Sequence, residues 1–256
     1  MGWSLLQATH PGKKTPENIT QVLTDATLRL VSTILQHNVP KFLIVNSDQT
    51  GVVYSAGAVE TYAPTGSKQV EVVGKDERRA FTLMVGISMS REVLPFQAVY
   101  AGKTKAPLPT SSAPKYAKAT EELKFHFESS GNDTYWSTMV TMQSYVTKIL
   151  APYFQSHCKQ SNLPNQLCIW QIDCWSVHQS LEFCSWMQKN YPWIWIHYSP
   201  ANCTGLFQPC DVGIQRVLKL AIRWSALKDI VDDTIEQLNA GIEPSKVVFE
   251  RKLAIV

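Results

Sequence analysis

Two short apolar runs, residues 167–172 and 193–198, flank a segment at 179–189 that has the spacing of a helix. Strand, helix and strand of these lengths form a crossover, which joins neighbouring strands of a sheet. A third run, 41–45, has the same look and delivers the chain to a polar turn at 46–51. In chain order 41–45 is the first of the three runs and 167–172 the second; between them lie further strand candidates at 52–54, 69–73, 81–89 and 93–100, punctuated by Gly and Pro. They read as antiparallel hairpins. Hairpins first and crossovers later predict an α/β chain with a mixed sheet and helices on its faces.

Helices are expected around this sheet. Thr15, Pro16 and Glu17 form a start signal: a hydroxyl cap, Pro at the first helical position, then an acid. Ile19, Val22, Leu23, Ala26, Leu30, Val31, Ile34 and Leu35 follow at helical spacing until Pro40. A second stripe runs from Trp136 to Tyr153, and a third begins at Asp211 with Ile214, Val217, Leu218, Ala221 and Ile222. The organisation predicted is a helical extension over 1–40, a catalytic-type domain over 41–225 and a helical tail over 226–256. With 45% hydrophobic and 18% charged residues, the chain can build a sizeable core. A net charge of +3 permits a nucleic-acid partner without requiring one. None of the cysteines has the CxxC spacing of a zinc ribbon. No run reaches membrane-spanning length, and the first residues lack the pattern of a signal peptide. Reduced cysteines and a location in cytosol or nucleus are expected.

Three aspartates stand where chemistry gathers in such folds. Asp48 follows the first apolar run, Asp173 follows the second, and Asp211 opens the helix after a loop bounded by Pro200 and Pro209. Strand ends and helix starts of an α/β sheet converge on one edge, where ligands bind. Three carboxylates brought together repel one another. A hard dication such as Mg²⁺ or Mn²⁺ removes that penalty, and two such ions can activate a hydroxyl and steady the leaving oxygen of a phosphodiester. Taken singly, each Asp is equally well a turn residue or a helix cap.

The wording around them narrows the choice. The segments NSDQTGV (46–52), WQIDCWSVH (170–178) and YSPANCTGLFQPCDVGIQRVLK (198–219) resemble the three acidic motifs of the DDE superfamily endonucleases. These are the transposase-derived proteins of the pogo, jerky and centromere-protein-B group, fungal members included. Residues 78–104 resemble the hairpin after the first motif, and 134–154 the helix before the second. The resemblance implies an RNase H-like fold and metal-dependent cleavage and joining of DNA strands. It implies that Asp48, Asp173 and Asp211 are the catalytic, metal-holding acids, with two Mg²⁺ or Mn²⁺ ions. His178 matches the His that often trails the second acid; it orients the scissile phosphate or donates a hydrogen bond, or else packs against Trp175. Thr204 and Gln208 match the polar loop before the third acid and either contact phosphate or hold the loop. Two positions depart from the pattern: Gln49 stands where the family has Glu, and Cys174 where it has Asn. Full-length transposases of the group carry helix-turn-helix modules upstream, and the stretch before Asp48 is too short for two of them. The partner expected is DNA, without a sequence-reading module in this chain and with self-association left open; the location expected is nuclear.

Two rivals remain at this point. Asn46-x-Asp48-x-Thr50 approaches the Asp-x-Asp-x-Thr of dehalogenase-type phosphatases, but Asn46 holds the nucleophile position and an amide cannot form the aspartyl-phosphate. The other is the same fold kept as an inactive nucleic-acid-binding module.

Overall fold

A computed structural model describes residues 17–53 and 80–248. The strand expected at 69–73 and the cap at Thr15 and Pro16 lie outside the described residues. Strands β1 (Ile44–Val53), β2 (Ala80–Ser88), β3 (Gln97–Tyr100), β4 (His126–Ser129), β5 (Cys168–Ile172) and β6 (Ile194–Tyr198) form one sheet in the order β4-β3-β2-β1-β5-β6. The β1–β2 and β2–β3 pairs are antiparallel, while β3–β4, β1–β5 and β5–β6 are parallel. The sheet is therefore mixed, as the order of hairpins and crossovers predicts. β4 lies in a stretch whose sequence carries no strand pattern. It forms because β3 offers it a parallel partner from Gln97↔His126 to Tyr100↔Ser129.

Helix α1 (Ile19–His37) ends where Asn38 takes the left-handed conformation at φ 49°. The Val39 N–H then donates to the Ile34 carbonyl at 3.0 Å, which satisfies a carbonyl the helix end would orphan. Helix α2 (Met139–Tyr145) starts later than the apolar stripe because Thr138 and Thr141 close a reciprocal capping box. A π turn over Val146–Leu150 carries it into α3 (Ala151–Gln160). Helix α4 (Leu181–Asn190) forms the crossover between β5 and β6. After the short α5 (Thr204–Phe207), a π turn over Cys210–Ile214 leads into the long α6 (Gln215–Asn239).

Alternation along β2 separates two cores. Met84 packs with Met142, Tyr145, Leu150, Phe154, Trp170 and Phe183, under α2, α3 and α4. Phe81, Leu83 and Val85 point the other way and pack with Ile214, Leu218 and Ile222 at the start of α6. Helices cover both faces, as expected. On the first face the sheet meets α2 closely: a Cβ on Gly86 would lie 2.6 Å from the Tyr145 hydroxyl oxygen, so a larger residue there would displace the tyrosine that bonds Ser47 at 2.8 Å.

One ion cluster pins the outer edge. Glu128 on β4 accepts from Lys148 Nζ at 2.9 Å, Gln97 Nε2 at 2.9 Å, His126 Nε2 at 2.6 Å and the Ser144 hydroxyl. Burial alone would raise its pKa, but the hydrogen bonds from His126, Ser144 and Lys148 overcome that and hold it at about 2. A depressed pKa means stability that is present above the ordinary value of 4.5 and lost as pH falls toward 2. Glu128→Gln is expected to cost about 2–3 kcal/mol at pH 7, allowing for the half-exposed Lys148. Urea denaturation at pH 7 and pH 3 checks this: the gap between wild type and variant narrows at the lower pH.

Candidate active site

Register brings the first two acids level. β1 and β5 pair in parallel up to Asn46↔Gln171. Two residues beyond that pair come Asp48, still within β1, and Asp173, which directly follows the end of β5. Asp48 does not sit in a turn after the strand, as the polar wording of 46–51 suggested. It lies inside β1, which runs through to Val53 because β2 stays paired with it from Val45↔Ser88 to Val53↔Ala80. Asn46 and Ser47 are buried with hydrogen-bond partners, Asn46 on Gln171 and Cys210 and Ser47 on Tyr145. The run at 41–43 is a single 3₁₀ turn rather than strand.

The third acid is delivered by a clamp. Asn46 donates from Nδ2 to the Gln171 carbonyl at 3.2 Å and accepts at Oδ1 from the Cys210 N–H at 2.8 Å. Gln208, wholly buried, donates to the Ser47 carbonyl at 3.2 Å. Cys210 donates its thiol to the Asn46 carbonyl at 3.5 Å. Its pKa is pushed up to about 12 by burial and by the charges of Asp48 and Asp211, so the sulfur keeps its proton. These bonds tie the loop before Asp211 to β1 and, through Gln171, to β5. Gln208 thus holds the loop rather than meeting phosphate. Thr204 opens α5, where its carbonyl accepts from the Gln208 N–H at 2.9 Å.

The carboxylates are arranged as a pair with a neighbour. Asp48 is pushed up to about 8, first by burial, then by the charge of Asp211 and a side-chain hydrogen bond to it, with Asp173 adding a weaker repulsion; a backbone bond from Gln49 opposes the rise. Asp173 points its Oδ1 toward His178 Nδ1 at 2.9 Å. Among the described residues, no three acid, His or Cys side chains converge on a single metal-sized point. His178 is 2% exposed at its side chain and stands at 89° to Trp175, with ring centroids 5.1 Å apart. Tyr198 fixes its backbone by donating to the His178 carbonyl at 2.6 Å. The ring packs on Trp175, as one expectation had it, and its hydrogen bond goes to the second acid.

Gln215 escaped the sequence reading. Its Nε2 donates to Asp48 Oδ2, and lies 3.4 Å from the Gln49 carbonyl. The available signal was its place one helical turn after Asp211, on the same face. The two departures from the family pattern lie beside the acids. Gln49 reaches away toward the Met142 sulfur at 3.5 Å, and Cys174 donates to the Ser199 carbonyl at 2.9 Å. Neither takes a carboxylate out of the cluster. Along α6 a cleft of about 490 Å³ opens beside Asp211, lined by Gln215, Arg216, Lys219, Leu220 and Arg223.

Comparisons with known proteins speak to the family and the fold. A family model described as DDE superfamily endonuclease matches residues 78–249, more than half of the chain; it takes in Asp173 and Asp211 and begins after Asp48. Among solved structures, the Mos1 transposase paired-end complex with left transposon end superimposes with a TM-score of 0.50 at 11% identity, over 87% of this chain and 54% of that one. The Mos1 mariner paired end complex with Mn gives a TM-score of 0.50 at 12% identity, over 86% of this chain and 54% of that one. Identity this low speaks for the fold alone, that of an RNase H-like transposase domain. The chain spans about half the length of these transposases. No curated protein matches it.

Proposed function

From the premise that this chain belongs to the DDE superfamily endonucleases, we propose that it is a transposase-derived nuclease domain acting on DNA phosphodiesters with a divalent metal. The observation that carries the reading is the Asp48–Asp211 carboxyl pair, with the charge of Asp173 beside it. Three acids from distant parts of the chain are held together at a cost in repulsion that a fold would avoid without a use for it. The related Mos1 structures are described as complexes with transposon ends, and one as containing Mn. Those descriptions support DNA as substrate and Mg²⁺ or Mn²⁺ as cofactor.

The residues present fit such an ion. Asp48 and Asp211 offer hard oxygen donors, and the burial and neighbouring charge that push the Asp48 carboxyl up to about 8 set a penalty that a dication would relieve. When bound, the metal supplies charge neutralisation and Lewis acidity at the phosphoryl oxygen. The chain does the rest. His178 keeps the Asp173 carboxylate oriented, as a positioning residue behind the acid. Gln215 holds Asp48 Oδ2 from the α6 side. The Asn46 clamp fixes the distance between the strands and the Asp211 turn.

The test is nicking of supercoiled plasmid in Mg²⁺ or Mn²⁺. Asp48→Asn, Asp173→Asn and Asp211→Asn are each expected to lower the rate about 100-fold or more. His178→Ala should lower it about 10–100-fold, since it acts through Asp173. Nicking by all three Asp variants at the wild-type rate defeats the proposal. DNA binding without metal-dependent nicking in the wild type would leave an inactive binding module of the same fold.

A further inference from the structure

The positive residues on α6 have no assigned work. Arg216, Lys219 and Arg223 lie three and four residues apart, so they share one face of the helix and line the cleft beside Asp211. Lys219 is half-buried and the two arginines are exposed. Among the described residues, none of the three makes an ion pair, although exposed lysines elsewhere do so with Asp133 and Glu243. Three like charges within two turns repel one another. The result is a wall of uncompensated positive potential that begins next to the acid cluster and leads away from it. Such a wall fits a polyanion, and its length fits a strand: seven residues of helix span about 10 Å, matching several consecutive phosphates of one strand.

We infer that the α6 cleft is a phosphodiester-backbone track, in which Arg216, Lys219 and Arg223 hold consecutive phosphates of a DNA strand and lead it to the Asp48–Asp211 pair. The inference rests on the nuclease reading for the strand's destination, but not for its binding. The three side chains are positioning residues. They contact phosphate rather than bases, so they carry affinity without sequence preference. Leu220, between them on the cleft wall, gives the strand an apolar surface instead of a hydrogen-bonding one.

The experiment is fluorescence anisotropy of a labelled duplex of arbitrary sequence, titrated with the full chain in EDTA at several KCl concentrations. Wild type is expected to bind with an affinity that falls steeply with salt. The triple variant Arg216→Ala, Lys219→Ala, Arg223→Ala should lower the slope of log affinity against log salt by about 2–3. Its affinity at low salt should fall about 100-fold or more. Exposed Lys159→Ala and Lys189→Ala, on α3 and α4, serve as controls and should leave the slope unchanged. Thermal melting with and without Mn²⁺ separates the two readings. A triple variant that keeps its Mn²⁺ stabilisation while losing the salt slope supports the track. A missing Mn²⁺ effect in wild type, with the slope change intact, sinks the metal site and leaves the track standing. An unchanged slope in the triple variant, or no salt-sensitive binding by wild type, overturns the inference.

Discussion

Asp48→Asn is expected to make the metal-free protein more stable at pH 8 while abolishing its stabilisation by Mn²⁺. The carboxyl of Asp48 has a pKa of about 8 in the folded chain against 3.8 ordinarily, raised first by burial and then by Asp211. A raised folded pKa means that stability is fully present below the ordinary value and is lost as pH climbs toward the folded one. Wild type without metal should therefore lose stability between pH 4 and pH 8. The asparagine variant carries no charge to bury and should lose far less. The full linkage would amount to about 5 kcal/mol; relaxation around the partly solvated pair brings the expected gain to about 2–3 kcal/mol, or roughly 5–10 °C in Tm for a chain of this size. A dication would stand in for the proton on Asp48, so Mn²⁺ at a hundred times its Kd should restore a similar amount to wild type at pH 8. At pH 5 that effect should shrink, because the metal must then displace a firmly held proton. Differential scanning calorimetry at pH 5 and pH 8, with Mn²⁺ and with EDTA, reads all four states. A wild-type Tm that does not change with pH, or an asparagine variant that melts below wild type at pH 8, would remove the crowded-carboxylate basis of the site.

Much of this arrangement was legible from residues alone, and the illegible parts share a cause. The run at 167–172 read correctly as a strand because it is buried on both faces and needs no partner-specific pattern. The run at 193–198 read correctly although it is the sheet edge, with Trp195 exposed. β2 was legible as a short apolar run, buried along nearly all of its length. By contrast, Asn46 to Thr50 looks like a turn because local sequence cannot show that β2 stays paired beside it. β4 was invisible for the same reason: its half-buried residues are strand only because β3 is next to them. The three aspartates were identifiable by their places at strand ends and a helix start. Their division into a pair and a neighbour was not. It depends on His178, which reaches back five residues to draw Asp173 to itself, and on Gln215, which approaches Asp48 from the far end of the chain. Partnerships of this kind are properties of packing rather than of spacing.

The two departures from the family wording illustrate the same point. Glutamine at 49 would have seemed a lost acid, yet its side chain leaves the cluster for Met142, and its carbonyl, not its amide, faces Gln215. Cysteine at 174 donates to Ser199 on the strand beyond. Its thiol is kept protonated by burial and the Asp173 charge, so it acts as a neutral donor, the role an amide would have there. Neither substitution removes one of the three aspartates; Gln49 takes one negative charge away from their surroundings, and Cys174 leaves the charge there unchanged.

The largest structural effect is expected from Asn46, which carries no chemistry of its own. Asn46→Ala removes the donor to the Gln171 carbonyl and the acceptor of the Cys210 N–H, leaving both backbone groups buried and unpaired. Each orphaned group costs about 1–3 kcal/mol, so a total loss of about 3–5 kcal/mol is expected. The functional loss should exceed what unfolding explains. One bond anchors the end of β5 just before Asp173, and the other anchors the turn just before Asp211, so a single deletion loosens two acids relative to Asp48. Displacement of about 1 Å at reacting groups can cost about 100-fold in rate. At a temperature low enough to keep the variant folded, its Mn²⁺-induced rise in Tm should be well below that of wild type, and nicking should fall about 100-fold. Asn46→Asp separates the two anchors: it keeps an acceptor for Cys210 but gives up the donor to Gln171, and so should retain the Asp211 turn while freeing β5. If nicking by either variant simply tracks its folded fraction, the clamp supports the fold alone. Coupling of the three acids must then come from the Gln208 and Gln215 bonds instead.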